Sequence, residues 1–506
     1  MLRIIRIVLA SLVFAGLLLL FLDVTGTLHG WLGFLAKIQF FPAVLALNVI
    51  VVAVLVLLTL LLGRVYCSVI CPLGIFQDII SWVHGRRRKN RFSWSPEKKW
   101  LRYGMLAVFL VALVAGVQVI VAVLEPYSAF GRMAQNLFAP LYGWGNNLLA
   151  WISERADGYA FYPREVWLRS LPTFLIAAAT FVLLVVLAWK GGRTWCNTVC
   201  PVGTILSFCS RFSLLRPVID ADACRNCHLC EKKCKASCIN IDKHQIDYSR
   251  CVDCFDCIDS CKFGALKYRI AWGKAGKAAA APKAPTSAAS AGKPAAQDAS
   301  GRRNFLTVSA LFGGAALAQA QKKRDGGLAE ILPKTRPERT VPLTPPGSQG
   351  VRHFYDKCTA CQLCVAACPN DVLRPSASLE RLMQPEMSYE RGYCRPECTA
   401  CSEVCPAGAI LPLTPEEKAV HHIGIASVNR SLCLVETEGV SCGNCARHCP
   451  AGAIQMVHRV PDDPESLLIP VVHEDRCIGC GACENLCPAR PLSAITVNGR
   501  STHIIE

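Results

Sequence analysis

CRNCHLCEKKC, residues 224–234, is followed at residues 251–261 by CVDCFDCIDSC. Both read C-x2-C-x2-C-x3-C. Three thiolates at this spacing grip three irons of a cubane [4Fe–4S] cluster, while the fourth reaches across to a second cluster. The pattern predicts one cluster on Cys224, Cys227, Cys230 and Cys261, and another on Cys251, Cys254, Cys257 and Cys234. CRNCH also matches the C-x-x-C-H pattern of haem attachment. Its thiols already belong to the cluster run, so His228 is expected at the surface and no haem is expected.

Four further groups lie towards the C-terminus: Cys358, Cys361, Cys364 and Cys368; Cys394, Cys398, Cys401 and Cys405; Cys433, Cys442, Cys445 and Cys449; and Cys477, Cys480, Cys483 and Cys487. Each fourth Cys precedes a Pro. Sixteen ligands supply four more clusters. Because the two inner groups are irregularly spaced, a nested pairing is expected. It puts Cys487 with Cys358, Cys361 and Cys364, and Cys368 with Cys477, Cys480 and Cys483. It also puts Cys449 with Cys394, Cys398 and Cys401, and Cys405 with Cys433, Cys442 and Cys445. Sequential pairing is the alternative. Structural clusters do occur, but one suffices to staple a domain, so six read as a wire.

The chain has 506 residues, 52% hydrophobic and 18% charged, with 30 Cys. That cysteine density is below disulfide scaffolds, and the spacing is that of metal ligands. The net charge of +17 is unevenly placed. Residues 351–506 carry 13 Lys/Arg against 18 Asp/Glu, a net −5 that leaves +22 on the apolar first part. A basic excess beside apolar segments is a membrane-topology signal, and nucleic acid is not an expected partner. No Rossmann fingerprint, P-loop, zinc-protease helix or nucleophile elbow is present, so neither flavin nor nucleotide is expected.

Four apolar segments, Ile7–Leu22, Ala43–Leu62, Gly104–Leu124 and Thr173–Trp189, approach the length that crosses a bilayer. Arg3, Arg6 and the run HGRRRKNR put the N-terminus, the second-to-third loop and the residues after the fourth segment on the cytoplasmic side. The second segment closes on GRVYCSVICPLG and the fourth on GRTWCNTVCPVG, both G-R-x-x-C-x-x-x-C-P-x-G. Such a repeat predicts an internal duplication with a pseudo-twofold axis. It would bring Cys67, Cys71, Cys196 and Cys200 together as a seventh metal site, against the alternatives of packed cysteines or a redox-active thiol pair. Cys209 and Cys238 are left over. Asn48, Gln118 and Glu125 are polar groups at or inside the expected membrane and so candidates for a functional site, with helix-end or interhelical contacts as the alternative reading.

The expected organisation is a four-helix membrane module over residues 1–200 and a cytoplasmic two-cluster domain over 201–272. An Ala/Pro/Lys linker at 273–301 follows, then a fifth signal or anchor helix at 302–320, a polar linker at 321–350, and a four-cluster periplasmic domain at 351–506. Arg302 and Arg303 precede a short apolar run ending in Ala318-Gln319-Ala320, the pattern of a twin-arginine export signal with a peptidase site. The fold class is a helical membrane module with two α+β bacterial-ferredoxin-like domains, in a bacterial cytoplasmic membrane.

Residues 1 to about 272, with the two C-x3-C-P motifs and the two-cluster run, resemble the NapH and MauN ferredoxin-type membrane proteins. Residues from about 300 onward resemble the exported NapG and MauM ferredoxins. This chain departs from them in being one polypeptide and in lacking Pro after Cys234 and Cys261. The resemblance implies a quinol dehydrogenase module passing electrons from membrane quinol to a periplasmic cytochrome or reductase, with export machinery as a further partner. Two other functions stay open: an assembly or maintenance factor for a partner metalloenzyme, and a relay lying wholly on the cytoplasmic side.

Overall fold

A computed structural model of the chain describes residues 1–23, 26–87, 92–270, 324–325, 329–330, 332–461 and 463–505. The expected linker and the twin-arginine segment with Arg302 and Arg303 lie outside the described residues.

The first two hundred residues build a helical body. Its helices are α1 (Leu2–Leu22), α2 (Thr27–Leu32), α3 (Phe34–Lys37), α4 (Phe40–Leu45), α5 (Val49–Leu62), α6 (Pro72–Arg87) and α7 (Lys99–Val114). They continue with α8 (Gln118–Leu124), α9 (Pro126–Met133), α10 (Ala139–Arg155), α11 (Leu171–Gly191), α12 (Thr194–Thr198) and α13 (Pro201–Ser210). Among the described residues only α1 and α11, 21 residues each, are long and apolar enough to cross a membrane. The other two apolar segments are interrupted, which corrects the expectation of four continuous helices. Leu47 (φ 54°) separates α4 from α5, and Gly116 (φ 73°) separates α7 from α8. At each break the chain steps out of i→i−4 bonding, with Asn48 N–H donating to Ala43 O and Val117 N–H to Ala112 O. Asn48 then caps α5 by accepting from Val51 N at 3.2 Å. Continuous apolar composition conceals such breaks, because hydropathy does not report backbone hand.

The body exposes apolar side chains and buries several charged ones within its apolar core. Its two long helices are only 33% and 28% buried over their apolar windows, whereas Arg64, Arg102, Arg132 and Arg193 have no exposed surface. A buried guanidinium is costly unless acceptors meet it: Arg102 has Glu97 at 2.7 Å and Ser249 O at 2.9 Å, whereas Arg132 has, among the described residues, only Ala122 O at 2.8 Å.

A small α+β domain follows. β1 (Leu215–Ile219) pairs antiparallel with β4 (Leu266–Ile270), bracketing β2 (Ile239–Asn240), β3 (Gln245–Ile246), α14 (Leu229–Lys233) and α15 (Asp256–Ser260). It docks on the N-terminal end of α1 through a buried ion network centred on Asp78 of α6. Asp78 accepts from Arg6 at 2.7 Å and from Arg193 at 2.9 and 2.7 Å. Lys235 lies 3.5 Å from Asp78 and 2.9 Å from Asp256, which also takes Arg3 at 2.8 Å.

The C-terminal domain docks at the other end of α1. Gln118 donates to Asp356 O at 2.6 Å, Asn136 to Gln362 at 2.9 Å and Arg169 to Asp371 at 2.9 Å. It consists of two units. Segment 343–347 and Leu411 enclose the first, through Met387 N–H to Leu343 O and Leu411 N–H to Gly347 O. His421–Val428 pairs antiparallel with Ile495–Ile505 around the second, as β1 and β4 do in the earlier domain. Twenty-one helical residues rise about 30 Å, so the two cysteine-rich domains stand at opposite ends of α1.

Candidate metal centres

The regular cysteine runs share one backbone trace. The residues flanking the second Cys of each run have left-handed φ: Asn226 (49°) and His228 (57°), Asp253 (47°) and Phe255 (61°), Ala360 (55°) and Gln362 (64°), and Gly479 (75°) and Gly481 (80°). Six of the eight are not glycine, and such a conformation persists only where the surroundings enforce it. Alternating hand turns successive amides inward and makes a concavity suited to an anion. The irregular groups show no such pair among the described residues.

In the first domain Cys224, Cys227, Cys230 and Cys261 line one cavity with Ile241 and Leu266. Cys234, Cys251, Cys254 and Cys257 line a second with Ile239 and Val252. Cys238 lines that second cavity too, its sulfur 3.5 Å from Cys234. Hydrogen bonding from Cys238 brings the Cys234 thiol down to about 7, while burial pushes Cys230 up to about 11. His228 pairs with Glu231 at 2.8 Å on the domain surface, and Cys209 lies on α13, away from both cavities.

The C-terminal cavities bring together thiols of consecutive groups and not of the nested groups expected from the sequence. Cys368 lines a cavity with Cys394, Cys398 and Cys401. Cys405 stands beside Cys358, Cys361 and Cys364. Cys449 shares a cavity with Cys477, Cys480 and Cys483, and Cys487 stands beside Cys445 of the Cys433, Cys442 and Cys445 set. The reason is the bracketing by strands: each unit closes on itself, so its fourth cysteines cross within the unit. The two units meet where Cys394 N–H donates to Cys480 O at 2.9 Å.

The described residues contain no three His, Cys, Asp or Glu side chains close enough to hold a single metal ion. The thiols instead ring cavities. Burial pushes Cys361 and Cys480 up to about 12 and holds Cys257 and Cys483 well above the ordinary thiol range. Thiolates in such surroundings need a cationic centre, and the inward amides suit the bridging sulfides of a cluster. The residues fit [4Fe–4S] binding.

Between the two cysteine-rich domains lie Cys67, Cys71, Cys196 and Cys200, all buried and within one another's electrostatic reach. The repeated motif explains itself here. Arg64 Nη2 lies 3.8 Å from Cys67 Sγ and donates to Cys196 O at 3.3 Å; Arg193 Nη1 lies 4.0 Å from Cys196 Sγ and donates to Cys67 O at 2.7 Å. Each arginine thus serves its own half's thiol and the other half's carbonyl. A Cβ on Gly74 would collide with Cys67 O and lie 2.6 Å from Arg193 Nη1, and one on Gly203 would lie 2.8 Å from Arg64 Nη2. The C-P-x-G glycines therefore leave room for the reciprocal arginines. Pro72 and Pro201 open α6 and α13, where a missing N–H costs nothing.

The motifs also seat the first domain. Asp253, between Cys251 and Cys254, accepts Arg64 N–H at 2.8 Å, and Arg193 N–H donates to Lys235 O at 2.9 Å. Burial raises Asp253 to about 7 against these hydrogen bonds. On the other side Tyr66 has Cys71 and Glu125 near it, and Tyr127 has Cys361, Glu125 and Cys405. Glu125 caps α9 through Tyr127 N and Ser128 N. Tyr127 Oη and Arg132 Nε and Nη1 are buried without a partner in the protein.

Sequence reasoning singled out the cysteines of the motif and passed over its Gly and Arg residues, although the repeat carried them just as plainly. Asp253, Lys235, Tyr127 and Gln362 gave no sequence signal, because their roles arise from docking.

Comparison with known proteins agrees with this geometry. A 4Fe-4S binding domain family matches residues 44–91 and 172–218, and a 4Fe-4S dicluster domain family matches 357–409 and 440–490. The class is thereby an iron–sulfur electron-transfer protein of ferredoxin type. The methylamine utilization ferredoxin-type protein MauM of Methylobacillus flagellatus is 32% identical over 166 residues, 32% of this chain and 70% of the relative. The ferredoxin-type protein NapG of Escherichia coli is 31% identical over 204 residues, 38% of this chain and 83% of the relative. An uncharacterized protein of Methanocaldococcus jannaschii is 24% identical over 253 residues, 49% and 80% of the two. The chain belongs to the MauM and NapG family of ferredoxin-type proteins.

Proposed function

We propose that the chain is a membrane-bound conduit taking electrons from quinol and passing them to a periplasmic cytochrome or reductase, as a NapH-like membrane part fused to its NapG-like partner. The observation that carries this reading is the pair of cysteine-rich domains at opposite ends of a helical body that is apolar outside, with four buried thiols between them. Arg302 and Arg303 would direct the C-terminal domain across the bacterial cytoplasmic membrane, leaving the first domain in the cytoplasm.

Six [4Fe–4S] clusters are assigned. Two use Cys224, Cys227, Cys230 with Cys261, and Cys251, Cys254, Cys257 with Cys234. Four use Cys358, Cys361, Cys364 with Cys405; Cys394, Cys398, Cys401 with Cys368; Cys477, Cys480, Cys483 with Cys449; and Cys433, Cys442, Cys445 with Cys487. Cys67, Cys71, Cys196 and Cys200 hold a seventh centre. When bound, these groups supply one-electron acceptors and donors. Arg64 and Arg193 hold positive charge beside the central thiols, and Tyr127 and Arg132, each with unpartnered donors, lie near Cys361.

Anaerobic membranes treated with quinol are expected to show reduced clusters by electron paramagnetic resonance. An unchanged signal refutes the donor assignment. Iron content separates six clusters from seven, about 24 irons per chain against about 28, and replacing Cys67 and Cys196 by Ala is expected to remove the difference.

A further inference from the structure

A cleft of about 630 Å³ opens between the helical body and the C-terminal domain. Its walls include Phe21 and Asp23 at the end of α1, Tyr142 of α10, Trp167, and Gln362 and Cys368 of the C-terminal domain. The volume is that of a small-molecule site, and the lining sets the rings of Phe21, Tyr142 and Trp167 beside the charged side chains Asp23, Arg164, Glu165, Arg169 and Asp371.

Three observations bear on the occupant. Gln362 is 1% exposed; its Oε1 accepts from Asn136 at 2.9 Å while its Nε2 has no partner in the protein. A buried amide donor left open calls for an acceptor oxygen. Cys368 and Pro369 line both this cleft and the cavity of Cys394, Cys398 and Cys401, and Gln362 directly follows Cys361, so the cleft touches two iron–sulfur sites. Tyr142, which lines the cleft, is exposed, and α10 carries further exposed apolar side chains in Leu141, Trp144 and Leu148.

We propose that this cleft binds the quinol headgroup, with Gln362 Nε2 donating to one ring oxygen and Tyr142 and Trp167 flanking the ring. The proposal rests on quinol as the donor. Oxidation removes two electrons and two protons and leaves the quinone. Clusters held by the Cys361 and Cys368 groups would, when bound, supply the two one-electron acceptors. Asp23, whose carboxylate holds His29 Nδ1 at 2.8 Å, takes one proton, and water at the mouth takes the other. In this arrangement the electrons enter beside the C-terminal domain and need not traverse the helical body.

The test uses the full cluster-loaded chain in detergent with a photoreactive azidoquinone. Labelling is expected on residues 135–169 and 360–371, suppressed by excess unlabelled quinone. Gln362→Asn, which shortens the amide but tolerates the left-handed backbone, and separately Tyr142→Ala are each expected to weaken quinone binding about tenfold, and the dithionite-reduced cluster spectrum of Tyr142→Ala is expected to match the parent's. If quinol reduces the clusters but the label falls elsewhere, or both variants bind as the parent does, the cleft assignment is overturned and the quinol reading survives. If quinone neither binds nor reduces the clusters, both are overturned.

Discussion

Replacing Asp78 by Asn removes the one carboxylate that faces Arg6, Arg193 and Lys235 together. The side chain is largely buried, and Arg193 beside it has no exposed surface. Two unit charges 4 Å apart interact by about 4 kcal/mol at an effective dielectric of 20. Breaking a buried pair by deleting one partner costs about 3–5 kcal/mol, because the remaining charge stays desolvated. Asp78→Asn is expected to cost that much, and Arg6→Met less, about 1–3 kcal/mol, since Asp78 keeps Arg193 and Lys235. In the double variant the costs should fall short of their sum by more than about 0.5 kcal/mol, the mark of shared contact. The assay is thermal unfolding in detergent, followed by visible cluster absorption, together with proteolytic release of the first cysteine-rich domain. A loss under about 1 kcal/mol, or strict additivity, would refute the view that Asp78 holds that domain to the helical body.

Alkylation tests the pairing: Cys368→Ser is expected to expose Cys394, Cys398 and Cys401 while Cys477, Cys480 and Cys483 stay protected, and nested pairing would give the reverse. Gly203→Ala should cost about 1–3 kcal/mol by overpacking against Arg64, measured as a lowered melting temperature with the ferredoxin signals intact. His503 stands between Thr344 and His421, each at 2.9 Å, and burial, then His421, lowers it from 6.5 to about 3. The folded domain therefore refuses a proton that the unfolded chain accepts below pH 6.5. Stability is full above 6.5 and is lost progressively down to pH 3, by about 1.4 kcal/mol at pH 5.5. Denaturant titrations at pH 7.5 and 5.5 check this, and His503→Gln should flatten the difference.

The cysteine runs made both ferredoxin-type domains legible, because ligand spacing is a local property of the chain. Which fourth cysteine serves which cavity was not legible in the C-terminal part. That depends on His421–Val428 pairing with Ile495–Ile505, a long-range register that irregular spacing around Cys394 and Cys433 does not encode. The duplication was visible in GRVYCSVICPLG and GRTWCNTVCPVG, yet the crossing of Arg64 and Arg193 was not, since a repeat states likeness and not contact. Leu47 and Gly116 illustrate the remaining loss: one residue of reversed hand divides a helix without altering hydropathy.

The crossed arginines also impose an order in time. Cys67 is backed by an arginine that emerges from the ribosome 126 residues later, and the amide of Arg64 waits for Asp253, 189 residues on. The first half of the duplicated motif cannot close when first synthesised, whereas the second emerges onto a partner already made. Metal delivered early to the centre proposed on these thiols would meet an incomplete cradle, so loading there would follow synthesis of the first ferredoxin domain. Separate expression of the two halves tests this schedule directly, because iron should enter the central site only after they are mixed.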